Sequence, residues 1–396
     1  MINHEVFEKI AKKFGTPVYV YEEEKIRNQL HFLDQSISYK PRMIFYAMKA
    51  NSNPHILNIF KTENVGIDAV SPGEIALALK VGFSPSNILF TGNNVTEEEA
   101  DFAVERGVLV NIDSLSRLKK FGKRYPGSDI SVRINPNVGA GHHDHCITGG
   151  PKSKFGIWYS RIGEIKRVAK SYNLNIVGIH QHIGSQILEV DKFMIAMEVL
   201  LKVASKFPDL QFVDFGGGLG VPYRPEEKKL DIKELGQKMS DRFKAFCGNA
   251  LILAIEPGRY LVAESGFLLT KVNTIKRNPD GRTFVGVDSG FNHLIRPAMY
   301  GSFHPITNIS NPNGLKDKVD VVGDLCESGD KFAEERDIER AREGDLLTIG
   351  VAGAYGYSMS SNYNLRPRPC EVLVKTGGTL QLIRERESIE KIIGGL

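Results

Sequence analysis

From residue 40 to 260 the chain alternates two hydrophobic patterns. Short, continuous apolar runs are separated by longer stretches in which apolar residues recur every three or four positions. The first pattern suits strands buried on both faces and the second suits amphipathic helices, so together they predict βα units around a parallel sheet. The strand-like runs are Met43 to Met48, Gly66 to Val70, Ile88 to Thr91, Val108 to Ile112, Ile130 to Ile134, Ile176 to His182, Phe212 to Phe215 and Leu251 to Ile255. Eight is the number of strands that closes a (β/α)8 barrel. The clearest helix is Lys192 to Phe207, where Phe193, Ala196, Met197, Leu200 and Val203 share one face that would pack on the barrel exterior.

After residue 270 the pattern changes. Thr283 to Val287, Lys318 to Val322, Asp345 to Val351, Glu371 to Lys375 and Thr379 to Arg384 read as strands with no helices between them. The early run Val18 to Tyr21 precedes the first barrel helix and is expected to join these later strands, so that the two ends of the chain meet. The predicted fold class is α/β: an eight-stranded TIM-type barrel over 25–270, plus a β-sandwich or β-barrel-like domain built from 1–24 and 271–396.

Composition narrows the function classes. The 396 residues are 41% hydrophobic and 25% charged, which is ordinary for a globular protein. The net charge of +4, from 51 basic and 47 acidic residues, is spread without a basic block or acidic tail, which argues against nucleic acid or an anionic membrane as partner. Ile2 to Phe14 lacks the unbroken apolar core of a signal peptide and no run reaches membrane-spanning length, so a cytoplasmic protein is expected. The four cysteines, Cys146, Cys247, Cys326 and Cys370, form no C-x-x-C pair, so neither a disulfide framework nor a zinc ribbon is expected. The cluster His142-His143-Asp144-His145 lies in a glycine-rich loop without an element to fix ligand geometry, and no metal is expected.

In such barrels functional groups sit at the C-terminal ends of the strands. Strand one ends in Tyr46-Ala47-Met48-Lys49-Ala50-Asn51, which places a lysine at the barrel mouth. A desolvated amine there can attack a carbonyl, although Lys49 taken by itself reads as a solvated strand end. His180 and His182, two apart on strand six, would share a face; structural histidines are the usual reading, and a metal would need further ligands. Strand seven ends in Asp214-Phe215-Gly216-Gly217-Gly218, which serves either as an anion cradle or as a tight turn. Strand eight leads into Glu256-Pro257-Gly258-Arg259, and the loops after strands seven and eight recurrently bind phosphate in these barrels. A phosphate cradle, a mouth lysine and a buried carboxylate together suggest a phosphorylated aldehyde held as a Schiff base, namely pyridoxal 5'-phosphate (PLP). Glu256 would then face the pyridine nitrogen and favour its protonated form.

With these residues in place, the sequence resembles the fold-type III, alanine-racemase-like PLP decarboxylases over nearly its whole length. The landmarks are YAMKAN at Tyr46 to Asn51, HIGSQ at His182 to Gln186, GGG at Gly216 to Gly218, EPGR at Glu256 to Arg259, CESGD at Cys326 to Asp330 and GAYG at Gly353 to Gly356. The resemblance implies that Lys49 holds the cofactor aldehyde, His182 stacks on its ring, Ser185 and Gly216 to Gly218 bind its phosphate, and Glu256 pairs with its nitrogen. It also places Asp68, Gly258, Arg259 and Tyr355 beside the cofactor. A head-to-tail homodimer with shared active sites is implied as well, in which Cys326 protonates the carbanion and Glu327 meets the substrate's distal amine.

Among such enzymes the resemblance points to decarboxylation of meso-2,6-diaminopimelate to L-lysine and CO2, the last step of lysine biosynthesis. Substrate binding is expected of Arg259, Arg296, Tyr300, Glu327 and Tyr355. Diaminopimelate carries a second complete amino-acid end, and two arginines can fork onto its distal carboxylate. Ornithine or lysine would offer only an ammonium to that pair. Another decarboxylase of the same fold, a racemase of related fold, and a PLP-binding protein without turnover are the rival readings. A glycine-rich stretch at 139–150, followed by Ser153-Lys154-Phe155-Gly156, resembles the family's lid loop.

Overall fold

The computed structural model describes residues 2–141 and 148–394. The His142 to His145 cluster and Cys146 therefore lie outside the described residues, as does the middle of the expected lid loop. The chain forms two compact units, one of Leu30–Val221 with Lys228–Tyr260, the other of Met1–Gln29, Pro222–Glu227 and Leu261–Leu396.

The first unit is the barrel. Its strands are Arg42–Ala47, Gly66–Ala69, Ile88–Phe90, Leu109–Ile112, Asp129–Asn135, Asn175–His180, Phe212–Asp214 and Ile252–Ile255. Each pairs in parallel with its neighbours, and the eighth returns to the first, closing the sheet. All eight predicted strands are present. The sixth ends at His180, two residues early, because the chain leaves the ladder there, so strand alternation no longer governs His182.

Large side chains plug the barrel, and glycines make room for them. Phe45, Leu89 and Ala254 form a buried cluster joined by Met43, Leu109 and Phe212. A Cβ at Gly178 would lie 2.1 Å from the Phe212 ring, and one at Gly66 would lie 2.6 Å from Phe45. Outside, the helix Val190–Ala204 buries Phe193, Ala196, Met197, Leu200 and Val203, the face its periodicity indicates. Asp231 caps the helix Ile232–Cys247 by accepting the Glu234 N–H at 2.9 Å, supplying one of the bonds that a helix start leaves open.

The second unit is built on a nine-stranded sheet. Val18–Glu22 lies between Gly266–Arg277, antiparallel, and Cys370–Val374, parallel, so the chain's two ends do meet. Three strands escape the sequence pattern: Gly266–Arg277, Ile306–Asn308 and Lys331–Glu339. Lys331–Glu339 is an edge strand whose apolar residues are only Phe332, Ala333 and Ile338, so its exposed charges disguise it as a loop. The helix His4–Phe14 packs Phe7 and Ile10 onto Val18, Val20, Leu269 and Val372, and Cys370 is buried in the same cluster.

Candidate active site

Lys49 leaves the first barrel strand in a single turn, Met48–Ala50. Its Nζ lies 2.6 Å from Oδ2 of Asp68 at the end of the second strand. Asp68 is fully buried, and its other oxygen accepts from the Thr91 hydroxyl after strand three. Three consecutive strand ends thus fix the carboxylate that faces the lysine. Nearby, Glu74 accepts the Val70 N–H at 2.7 Å, and burial pushes its carboxyl up to about 7.

The turn after strand seven requires glycine. Gly216 and Gly218 have φ of 69° and 100°. Added Cβ atoms would lie 2.1 Å from the Gln181 carbonyl oxygen at Gly216, 2.1 Å from that of Glu256 at Gly217, and 2.5 Å from that of Gly184 at Gly218. The backbones of three loops therefore converge where no side chain fits. The Gly216 N–H donates to Asp214 Oδ1 at 2.8 Å and the Gly217 N–H to His182 Nδ1 at 3.1 Å. These two amides hold the turn in shape. Beside it, buried Arg259 donates to the Ser185 hydroxyl at 2.9 Å, pairing a guanidinium and a hydroxyl suited to an anion. Gly258 lets the eighth loop approach Ala47 and Ala50, since a Cβ there would lie 3.1 to 3.2 Å from both.

Inside the mouth lies a polar layer drawn from alternate strands, the way barrel interiors are filled. Asn111 of strand four reaches across strand five to His180 of strand six, with its amide nitrogen 3.0 Å from Nδ1. His180 Nε2 in turn lies 2.9 Å from Oε2 of Glu256, just past strand eight. All three are buried, as is Asp214. Glu256 Oε1 and Asp214 Oδ2 have no hydrogen-bond partner among the described residues. Burial opposes ionisation of Glu256, but His180, Lys49 and Arg133 outweigh it and hold the carboxyl below its usual range. Asp214 goes the other way: burial and the Glu256 charge raise it well above the carboxylate range. Burial, followed by the charges of Arg133 and Lys49, holds His182 well below the ordinary imidazole value, so its ring is neutral.

In the β unit, Arg296 is 2% exposed at the start of the short helix Arg296–Tyr300. Its guanidinium lies 5.3 Å from the Tyr223 ring, 5.7 Å from Tyr300 and 6.0 Å from Tyr355, and donates to Ser302 Oγ at 3.1 Å. Desolvation of a guanidinium is costly, and three aromatic faces offset part of it. Cys326 and Glu327 occupy a different place, an exposed loop held from beneath by buried Asp330. Asp330 accepts the N–H of Phe291 at 2.6 Å and of Leu325 at 2.8 Å. The Cys326 N–H donates to Asn364 Oδ1 at 3.0 Å, and Glu327 accepts the Tyr363 hydroxyl at 2.6 Å.

Residues 23–263 match the family model described as pyridoxal-dependent decarboxylase, pyridoxal binding domain. The chain is 47% identical to the diaminopimelate decarboxylase of Methanothermobacter thermautotrophicus, covering 98% of this chain and 93% of that one. The chain belongs to the diaminopimelate decarboxylase family. The Escherichia coli relative is 37% identical, covering 97% of this chain and 94% of its own length. The crystal structure of the Helicobacter pylori diaminopimelate decarboxylase complexed with L-lysine superposes with a TM-score of 0.91 at 34% identity, covering 98% and 100% of the two chains.

For a member of the diaminopimelate decarboxylase family, the expected residues fall into three groups. Lys49, Asp68, His182, Ser185, Gly216 to Gly218, Glu256, Gly258 and Arg259 are gathered at one barrel mouth. Arg296, Tyr300 and Tyr355 are brought together in the β unit, whereas Cys326 and Glu327 stand on their separate loop. Sequence analysis gave no site role to Asn111, Arg133, Asp214 or Tyr223. The signal for Asn111 was an amide in a strand otherwise apolar; for Tyr223 there was none, since its short segment lies far in sequence from the unit it joins.

Proposed function

We propose that this protein decarboxylates meso-2,6-diaminopimelate to L-lysine and CO2 with PLP bound at the barrel mouth. The observation that carries the reading is the convergence of Lys49, the Gly216–Gly218 turn and Glu256 at strand ends of one barrel. The residues fit the cofactor: a lysine amine beside a buried carboxylate, a glycine turn where no side chain fits with the Ser185 hydroxyl and Arg259 guanidinium beside it, and a buried Glu256 oxygen without a partner among the described residues. When bound, PLP supplies the electron sink that makes loss of carboxylate feasible.

The chain's own residues do the rest. Lys49 would hold the aldehyde and Asp68 fixes where its amine lies. His182, neutral, presents its ring face and keeps the glycine turn in place through Nδ1. Ser185, Gly216 to Gly218, Gly258 and Arg259 would shape the phosphate end, and Glu256 would meet the pyridine nitrogen. Arg296, with Tyr300 and Tyr355, would take the distal carboxylate, and Glu327 the distal ammonium. Tyr355 would also border the cofactor, and Arg259 the substrate. Cys326, exposed on its loop, would deliver the proton that replaces the lost carboxylate.

That Cys326 and Glu327 stand on an exposed loop supports a homodimer in which each subunit completes its partner's site. Free thiols at Cys247, Cys326 and Cys370 fit a cytoplasmic setting, and among the described residues no helix is long and apolar enough to cross a membrane. The test is to add PLP to the purified protein and measure CO2 and lysine released from meso-diaminopimelate, with ornithine and lysine in parallel. Lysine formed from diaminopimelate alone is expected. Turnover of ornithine or lysine instead would overturn the substrate, and turnover of none would leave only a PLP-binding protein.

A further inference from the structure

The barrel interior contains a chain of hydrogen-bonded side chains, Asn111–His180–Glu256, and none of the roles above uses its first two members. Asn111 and His180 sit two strands apart, as do His180 and Glu256, so both contacts cross the barrel interior. All three side chains are buried, Asn111 at 3%, His180 at 1% and Glu256 at 5% exposure. Burying three polar groups without a purpose would be expensive, since each loses its hydration.

The chain has a direction. Asn111 turns its amide nitrogen, which only donates, toward Nδ1, so Nδ1 accepts and the ring proton resides on Nε2. Nε2 then donates to Glu256 Oε2 at 2.9 Å. One oxygen of Glu256 is thereby occupied from below, while Oε1 has no partner among the described residues. Asp214 stands beside the pair: one atom each of His180, Asp214 and Glu256 lie within 4.8 Å of one another. Two buried carboxyls at that separation do not both ionise readily. Asp214 is the one held neutral: its Oδ1 accepts the Gly216 N–H, and its carboxyl proton can be shared with Glu256 beside it.

We infer that Asn111 and His180 are positioning residues for the pyridine end of the cofactor: Asn111 fixes the His180 tautomer, and the His180 N–H keeps Glu256 an oriented carboxylate with its second oxygen reserved for the pyridine nitrogen. The inference rests on the PLP reading above. A carboxylate deprived of that N–H, buried beside Asp214, takes up a proton, and a neutral Glu256 no longer favours a protonated pyridine. The hydrogen-bonded partners of a group that contacts a cofactor act through its orientation and basicity, as they do for metal ligands.

The test loads the holoenzyme with PLP labelled with 15N in the ring and compares wild type with His180→Leu, His180→Gln and Asn111→Leu. In wild type the 15N resonance is expected at the protonated-pyridine position. His180→Leu is expected to move it toward the unprotonated position and to lower kcat by about tenfold or more, the usual scale for such outer partners, with KM little changed. His180→Gln, whose amide can still donate to Glu256, is expected to recover most of both. Asn111→Leu is expected to shift the resonance in the same direction by less, and it carries the test if His180→Leu does not fold. Identical 15N positions in wild type and in a folded His180→Leu or Asn111→Leu variant would overturn the inference and leave the PLP reading standing. A wild-type protein that takes up no PLP would sink that reading, and this inference with it, before any variant is compared.

Discussion

His182 Nδ1 accepts the backbone N–H of Gly217 at 3.1 Å, so the ring expected to lie against the cofactor also holds the turn expected to meet its phosphate. One substitution should therefore disturb both ends. His182→Ala loses a stacking partner, worth about 0.5–1.5 kcal/mol, and a hydrogen bond worth about 1 kcal/mol. PLP affinity is expected to fall by about tenfold or more, measured by equilibrium dialysis; His182→Phe, which keeps the face and loses the acceptor, should fall between. Equal affinity in all three proteins would exclude the double role.

Lys49 meets Asp68 at 2.6 Å. Lys49→Ala should abolish the visible absorbance of bound cofactor and cut kcat/KM on the order of a thousandfold or more, as loss of a covalent catalyst does. Asp68→Asn should retain the absorbance but bind PLP more weakly, because the amine loses its charged partner. A Lys49→Ala protein with wild-type spectrum and rate would sink the assignment of the lysine.

The tyrosine surround of Arg296 predicts a selective effect. Arg296→Lys keeps the charge but loses the planar fork and the aromatic contacts, and Tyr223→Ala removes the face at 5.3 Å. Both should raise KM for diaminopimelate while leaving PLP affinity near wild type. Steady-state kinetics alongside PLP titration separates the two, and a parallel loss of PLP affinity would show that Arg296 acts elsewhere.

Asp330 is the support of the Cys326–Glu327 loop. Asp330→Ala leaves the amides of Phe291 and Leu325 without an acceptor, each costing about 1–3 kcal/mol if it stays buried. The variant should unfold at lower urea and lose kcat more than PLP affinity. Wild-type kcat in this variant would mean that the loop needs no such support.

His293 gives a pH dependence. It is buried, with Nε2 3.1 Å from the Pro367 carbonyl oxygen and Nδ1 3.0 Å from the Ser289 hydroxyl, and burial pushes it down to about 4 from an ordinary 6.5. The unfolded chain therefore binds the proton first. Stability present above about pH 6.5 is lost progressively as the pH falls toward 4. Urea melts between pH 7 and 4 should show this slope, and His293→Gln should flatten it.

Much of this was legible in the sequence because its physics is local. A strand buried on both faces must be apolar along its length, so the eight barrel strands announce themselves. Where strands end, Lys49, the Gly216–Gly218 turn and Glu256 are already at the mouth by topology. The glycines show in the sequence, but only the structure gives their reason: the Gln181, Gly184 and Glu256 carbonyl oxygens occupy the space their side chains would need.

Other features depend on partners far apart along the chain. The Asn111–His180–Glu256 connection exists only because the barrel closes and brings alternate strands across its interior, and an amide within an apolar run does not disclose what it will meet. Tyr223 joins Arg296 because Pro222–Glu227 leaves the barrel unit for the other one. Lys331–Glu339 is a strand because the edge of a sheet needs a partner on one side only, which lets charged residues face water. The sequence alone determined which groups lie at the barrel mouth, since strand periodicity and strand ends are local properties. Tertiary structure decided which of them are neutral, ionised or held by a third residue, because burial and hydrogen bonding are set by neighbours that the chain meets only once folded.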